Sequence, residues 1–119
     1  MNNFNISNSQ IGVLNTGTIQ NVDATVTVLK SSGDAALAAA LAELAQAIIS
    51  SNDIVVATKN QALELLNELG EQAVAPKDRR RPSVTRTVLA EVGSIIGGIA
   101  SLTALWERFK SVLESILGG

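Results

Sequence analysis

Apolar positions recur most regularly between residues 83 and 117. Val88, Val92, Ile95, Ile99, Leu102, Trp106, Phe109, Leu113 and Ile116 follow one another at alternating intervals of four and three. That is an a/d heptad seam through about four heptads, and it predicts one helix roughly 50 Å long. Ser83 is placed to cap its start, and Gly118-Gly119 to end it. A second flank of Leu89, Ile96, Leu105, Val112 and Leu117 widens the seam into a face. A short chain cannot easily hide so much apolar surface by itself, so the seam is expected to be buried against the chain's own helical hairpin and against other subunits.

Two shorter helical patterns precede it. Residues 35–50 are Ala-rich, with Leu37, Leu41, Leu44 and Ile48 on one stripe and Asp34 or Ser32 as the expected cap. Ser50-Ser51-Asn52-Asp53 breaks the pattern. A second helix is then expected from near Ile54 to about Val74, carrying Val55, Ala62, Leu66, Leu69 and Ala73. The short break predicts an antiparallel helical hairpin. Residues 75–82, bounded by Pro76 and Pro82, form the linker to the long helix.

The N-terminal 30 residues have a different character. Asn is dense, mixed with Ser, Thr, Gly and β-branched residues, and Phe4/Ile6, Ile11/Val13 and Val26/Val28 alternate with period two. Short strands are expected at 4–7, 10–14, 18–22 and 25–29, with Asn15-Thr16-Gly17 as a hairpin loop. Strands this short do not make a stable sheet alone. Either the chain's own helices cover them or they pair with copies from other subunits. The expected fold class is therefore mainly α (α+β): a β-rich oligomerisation segment at 1–30, then a three-helix region at 31–119.

Composition narrows the function classes. Hydrophobic residues are 46% of the 119, but aromatics only 3%, so the core must come from Ala, Leu, Ile and Val. A net charge of −2 gives no general pull toward nucleic acid or anionic membrane. With no Cys and no His, thiol chemistry, disulfides and the usual general base and metal ligand are all missing. The first residues lack the basic and apolar regions of a signal peptide, which makes the cytoplasm the expected location.

Candidate chemistry is thin. Glu64, Glu68 and Glu71 share a helix face, but it points away from the Leu66/Leu69 stripe and reads as solvated. No phosphate-binding glycine loop is present, and the Ser and Thr hydroxyls have no imidazole to activate them. Enzyme activity is not expected, nor is a cofactor or metal. Arg79-Arg80-Arg81, just before a helix N-terminus, offers guanidinium forks to an anion, although with one Asp neighbour and no aromatic stacking partner a solvated loop or an intersubunit salt bridge is the preferred reading.

Glycines inside the long helix are the exception to its pattern. Gly93 and Gly97, continued by Ser101, make a small-xxx-small row, which in a soluble protein predicts a tight helix crossing. Residues 92–106 are uncharged, but as a helix they cover only about 22 Å of the roughly 30 Å hydrocarbon core. The alternative reading of the chain is a membrane-active effector that inserts this stretch once oligomerised.

Four stretches carry a resemblance. They are Ile11-Gly12-Val13-Leu14-Asn15-Thr16-Gly17-Thr18-Ile19, Ala39-Ala40-Leu41 through Ile48, Ala62-Leu63-Glu64-Leu65-Leu66 to Glu71-Gln72-Ala73, and Ala104-Leu105-Trp106. Together they are similar to small modules of bacterial conflict and defence proteins. The resemblance implies a noncatalytic self-association or adaptor segment working beside an effector protein, and it brings no catalytic or ligand residues with it. The expectation is thus a homo-oligomeric scaffold. Its interface would use Ile11, Val13, Ile19, Val88, Val92, Ile95, Gly97, Ile99, Leu102, Trp106, Phe109 and Leu113, with Arg79, Arg80 and Arg81 as an anion site.

Overall fold

The computed structural model describes residues 16–117. They form five helices: α1 (Thr16–Ser31), α2 (Ala35–Ser50), α3 (Val56–Val74), α4 (Pro82–Ile96) and α5 (Ala100–Ile116). A single 3₁₀ turn, Lys77–Arg79, lies in the connection between α3 and α4. No strand occurs among the described residues. The mixed α+β expectation is therefore corrected to an all-helical architecture over this region. The strands expected at 4–7 and 10–14, and the interface residues Ile11 and Val13, lie outside the described residues.

The strands expected at 18–22 and 25–29 are instead the body of α1. Thr18, Val22, Thr25, Val26 and Leu29 are buried, at intervals of four, three, one and three, which is one face of a helix. The period-two reading of Val26/Val28 describes a buried and an exposed neighbour on that helix. Hydroxyls that ordinarily compete with helical hydrogen bonding are turned to its use. Thr27 Oγ1 donates to Asp23 O, Ser31 Oγ to Thr27 O and Ser32 Oγ to Val28 O, each one turn back. At the C-terminus Gly33 takes φ +88°. Asp34 N–H then donates to Leu29 O at 2.9 Å and Gly33 N–H to Lys30 O at 3.3 Å. This pair of bonds, with glycine in the left-handed region, is the Schellman ending of a helix.

α1 packs against both α2 and α3, which also touch each other; α5 lies on α2 and α4 on α3. α1 and α3 approach each other closely at Gly70. A methyl group added at Gly70 would stand 2.7 Å from Thr25 Cγ2, so only glycine allows the two helices this spacing. Beside it Thr25 Oγ1 donates to Asn67 Oδ1 at 2.5 Å, which satisfies the buried hydroxyl. α2 uses both sides of a broad apolar face, because Leu37, Ala38, Ala40, Leu41, Leu44, Ala45 and Ile48 are all buried. Lys59 Nζ donates to Ile49 O at 2.7 Å and so covers a carbonyl left open where α2 ends.

The long C-terminal helix is the second correction. The chain turns a corner at Gly97-Gly98-Ile99, where Ile99 is extended at φ −107° and ψ 102°. Two adjacent glycines each weaken a helix by about 1 kcal/mol relative to Ala. Turning there lets α4 lie on α3 while α5 lies on α2, and the apolar residues of each reach the common core. Burying Trp106 or Phe109 is worth about 1.5–3 kcal/mol each, more than the helical bonds lost at the corner. Most of the seam keeps its register across the break, with Ile96 taking the buried place of Ile95. On α4 the buried set is Val88, Val92 and Ile96, and on α5 it is Leu102, Trp106, Phe109 and Leu113.

Candidate functional site

Residues read from the sequence as an interface between subunits are mostly occupied within the chain. Val88, Val92, Leu102, Trp106, Phe109 and Leu113 are core residues, and the Trp106 and Phe109 rings stack at 5.9 Å. Ile19, Ile95 and Ile99 are half-buried and pack against that core. Gly97 is exposed at the corner, so the small-residue row is not a crossing point of two helices. Gly93, its partner in the row, faces Trp106; a methyl there would stand 3.7 Å from Nε1, an ordinary contact. The stretch 92–106 is thus divided between two helices with its large side chains inside. No helix among the described residues is long and apolar enough to cross a membrane.

The three arginines do not converge. Arg80 turns inward and acts as a clip: Nε donates to Ala75 O at 3.1 Å, Nη2 to Ala73 O at 3.0 Å and Nη1 to Ile116 O at 3.3 Å. One guanidinium thereby binds the carbonyl ends of α3 and α5, where the helix dipoles favour a cation. Arg79 and Arg81 remain exposed, and the Arg81 main-chain N–H is taken by Gln72 Oε1 at 2.9 Å. α4 begins with Pro82, which has no N–H to offer an anion. The arrangement suits helix capping better than ligand capture.

The carboxylates of α3 also stay apart from any chemistry. Glu64 accepts from Thr18 Oγ1 at 3.4 Å and Glu71 from Asn67 Nδ2 at 3.4 Å, while Glu68 is exposed. Among the described residues no group of three His, Cys, Asp or Glu is placed to hold a metal ion.

What the structure adds is a groove that the sequence reading missed. α4 and α5 meet only sparingly, and between the start of one and the end of the other lies a hollow of about 510 Å³. Leu89, Leu113 and Leu117 supply its apolar floor; Arg80, Arg86 and Glu114 stand around it. Its volume falls within the range of about 300–1,000 Å³ usual for binding pockets. Arg86 is exposed and forms no ion pair with the described residues. A larger hollow of about 830 Å³ is shallower and of mixed character, edged by Gln61, Arg86, Thr87, Ala90, Glu91 and Ile95. The apolar groove was foreshadowed by the Leu89/Leu117 flank of the seam. Its existence depended on the corner at Gly97-Gly98, which periodicity alone does not report.

No known protein family, curated protein or solved structure matches the chain.

Proposed function

We propose that the chain is a noncatalytic, self-associating scaffold or adaptor, and that it docks through the α4–α5 groove rather than through the heptad seam. The observation that supports this reading is the groove itself. It presents the half-buried Leu89 and Leu117 over the buried Leu113, with Arg86 and Glu114 beside them, and no side chain of the described helices fills it. The seam residues, by contrast, already have partners inside the chain. An adaptor needs one such surface and no reacting groups, in keeping with a chain that has neither Cys nor His. The resemblance to self-association modules of bacterial conflict proteins points the same way and adds an effector protein as a second partner, with the cytoplasm as the place of work.

Absolute mass by light scattering in detergent-free buffer tests the reading, with sedimentation against liposomes beside it. A discrete multiple of 12.4 kDa that does not sediment with lipid is the expected result. A monomer at all concentrations would overturn self-association. Sedimentation with liposomes would favour the membrane-active alternative.

A further inference from the structure

We propose that two copies of the chain pair about a two-fold axis by exchanging α1. The corner at residues 33–34 opens, and α1 of each copy takes the seat on α2 and α3 of the other. The proposal rests on the self-association reading above and names the element that carries it. It leaves the α4–α5 groove free for a partner protein.

α1 is separable from the rest of the bundle. It packs against α2 and α3, while α5 lies on α2, α4 lies on α3, and α4 and α5 touch each other without it. Lifting it away would bare an apolar seat whose shape suits few occupants. Thr25 Cγ2 stands over Gly70, where no methyl would fit, and Thr25 Oγ1 bonds Asn67 Oδ1 beside it. Two turns earlier Thr18 Oγ1 donates to Glu64. α1 of a second copy meets all of these requirements because it is the same helix. Exchange therefore keeps the contacts of the closed chain, and the corner decides between the two forms.

Little holds that corner. Helical bonding continues to Ser32, whose N–H donates to Val28 O at 2.9 Å, and resumes with Ala38 N–H on Asp34 O at 2.9 Å. Between them Gly33, at φ +88°, and Asp34, at φ −97° and ψ 49°, leave helical geometry. Asp34 stands at the cap position of α2, but its side chain makes no capping bond. The two main-chain bonds of the Schellman ending close the corner, and a continuous helix would replace both in kind. Turned to helical values, these residues would join α1 and α2 into one helix over 16–50. The apolar pattern is already in phase for it. Val22, Val26, Leu29, Leu37, Ala40, Leu44 and Ile48 are all buried, and on one helix they fall within an arc of about 100°. In the closed chain the start of α1 faces the end of α2, as Ile19 and Val22 border one hollow with Ala45 and Ile49. Two straightened helices laid antiparallel across an axis near residue 33 recreate that facing, each half supplied by the other copy.

Gly33→Ala tests the corner. A methyl at Gly33 meets nothing within 4 Å, so the change penalises the left-handed φ of the closed chain without disturbing its packing. At about tenfold per corner and two corners per pair, the dimerisation constant read by light scattering should rise about a hundredfold. Inserting Gly-Ser-Gly-Ser after Ser32 interrupts the continuous helix and should return the chain toward monomer. Cross-linking tells exchange from any other pairing, because the chain has no cysteine of its own. Val28 on α1 and Val74 on α3 are exposed and border one hollow. With Val28→Cys and Val74→Cys in the same chain, a short bis-thiol reagent should link chain to chain, giving twice 12.4 kDa on a denaturing gel. An unexchanged pair would be linked within each chain. A wild-type monomer at all concentrations would overturn self-association and the exchange together. A wild-type oligomer linked only within its chains would leave self-association standing and overturn the exchange. A dimerisation constant unmoved by Gly33→Ala would overturn the straightened corner, and the exchange with it.

Discussion

Residues 16–31 and residues 83–117 are opposites in the sequence, and the fold reverses their roles. The first stretch is rich in Thr and Val and poor in good helix formers, yet α1 is the helix that packs against both α2 and α3. The second has an unbroken heptad pattern, yet it folds as two helices joined at a corner. Intrinsic propensity differs by only a few tenths of a kcal/mol per residue, and packing across a whole face outweighs it. Regular spacing shows which side chains seek burial. It does not show whether one straight helix buries them, because a corner can keep both halves facing the same core.

The sharpest way to break this comparison is to test residues the seam treats as equivalent. Phe109 and Ile95 occupy equivalent positions two heptads apart in the heptad reading, but Phe109 is fully buried and Ile95 only half. Phe109→Ala should cost about 3–5 kcal/mol, because the cavity lies beneath the stacked Trp106 ring. Ile95→Ala should cost about 1–2 kcal/mol. Urea unfolding of the two variants checks the ranking; equal losses would mean that the seam is straight after all.

Arg80 separates the regions in another way, since it ties the end of α3 to the end of α5. Arg80→Ala should lower stability by about 2 kcal/mol, at the lower end for bonds from a charged donor because the clip is half exposed. Arg80→Lys should recover less than half of that, as an ammonium cannot reach three carbonyls with a planar fork. A urea midpoint that does not move in Arg80→Ala would show that the clip holds nothing. The sequence placed three arginines before a helix and suggested an anion; the helix ends they follow were the stronger attractor for one of them.

Much of the helical outline was legible. α2 spans the residues its leucine stripe marked, and the polar break at 50–53 leads into α3. The next helix starts one residue before its expected cap, with Arg81 at the cap position and Pro82, expected in the linker, as its first residue. α1 was also written in the chain, in signals of a different kind. Thr18, Val22, Thr25, Val26 and Leu29 make a helical stripe once buried threonines count as core, and Gly33 three residues beyond Lys30 is a helix-ending glycine. β-branched residues at period two concealed it. The groove was not legible, because it is a product of how α4 and α5 are set after the corner and involves residues 24–37 apart in sequence.

The contact between α1 and α3 gives the next test. Gly70→Ala gains about 1 kcal/mol in helix propensity but drives a methyl to 2.7 Å from Thr25 Cγ2 and 3.3 Å from Leu41 Cδ2. Overpacking of this kind costs about 1–3 kcal/mol, so the net expectation is a loss of up to about 2 kcal/mol. Thr25→Ser removes the offending methyl and keeps the hydroxyl that bonds Asn67. In that background Gly70→Ala should be neutral or stabilising. The coupling between the two positions, at least about 1 kcal/mol by double-mutant cycle, reports the closeness of α1 to α3 directly. Additive effects would mean that α1 does not sit where its threonines place it.

The smallest effect is expected at the corner. Gly98 is exposed, a methyl added there meets nothing within 4 Å, and its φ is not positive, whereas a methyl on Gly97 would collide with Gly93 O. Gly98→Ala should therefore change stability by less than about 0.5 kcal/mol, the usual range for surface substitutions. The corner is kept by the burial of Ile96 on one side and Leu102 on the other, together with the extended Ile99 between them. Flexible glycines alone do not explain it. Spin labels on the exposed residues Ser94 and Ser111 can measure whether the bend persists in Gly98→Ala. An unchanged distance is expected. A lengthening toward the roughly 25 Å of a continuous helix would show that the heptad seam prefers to be straight and that glycine was preventing it.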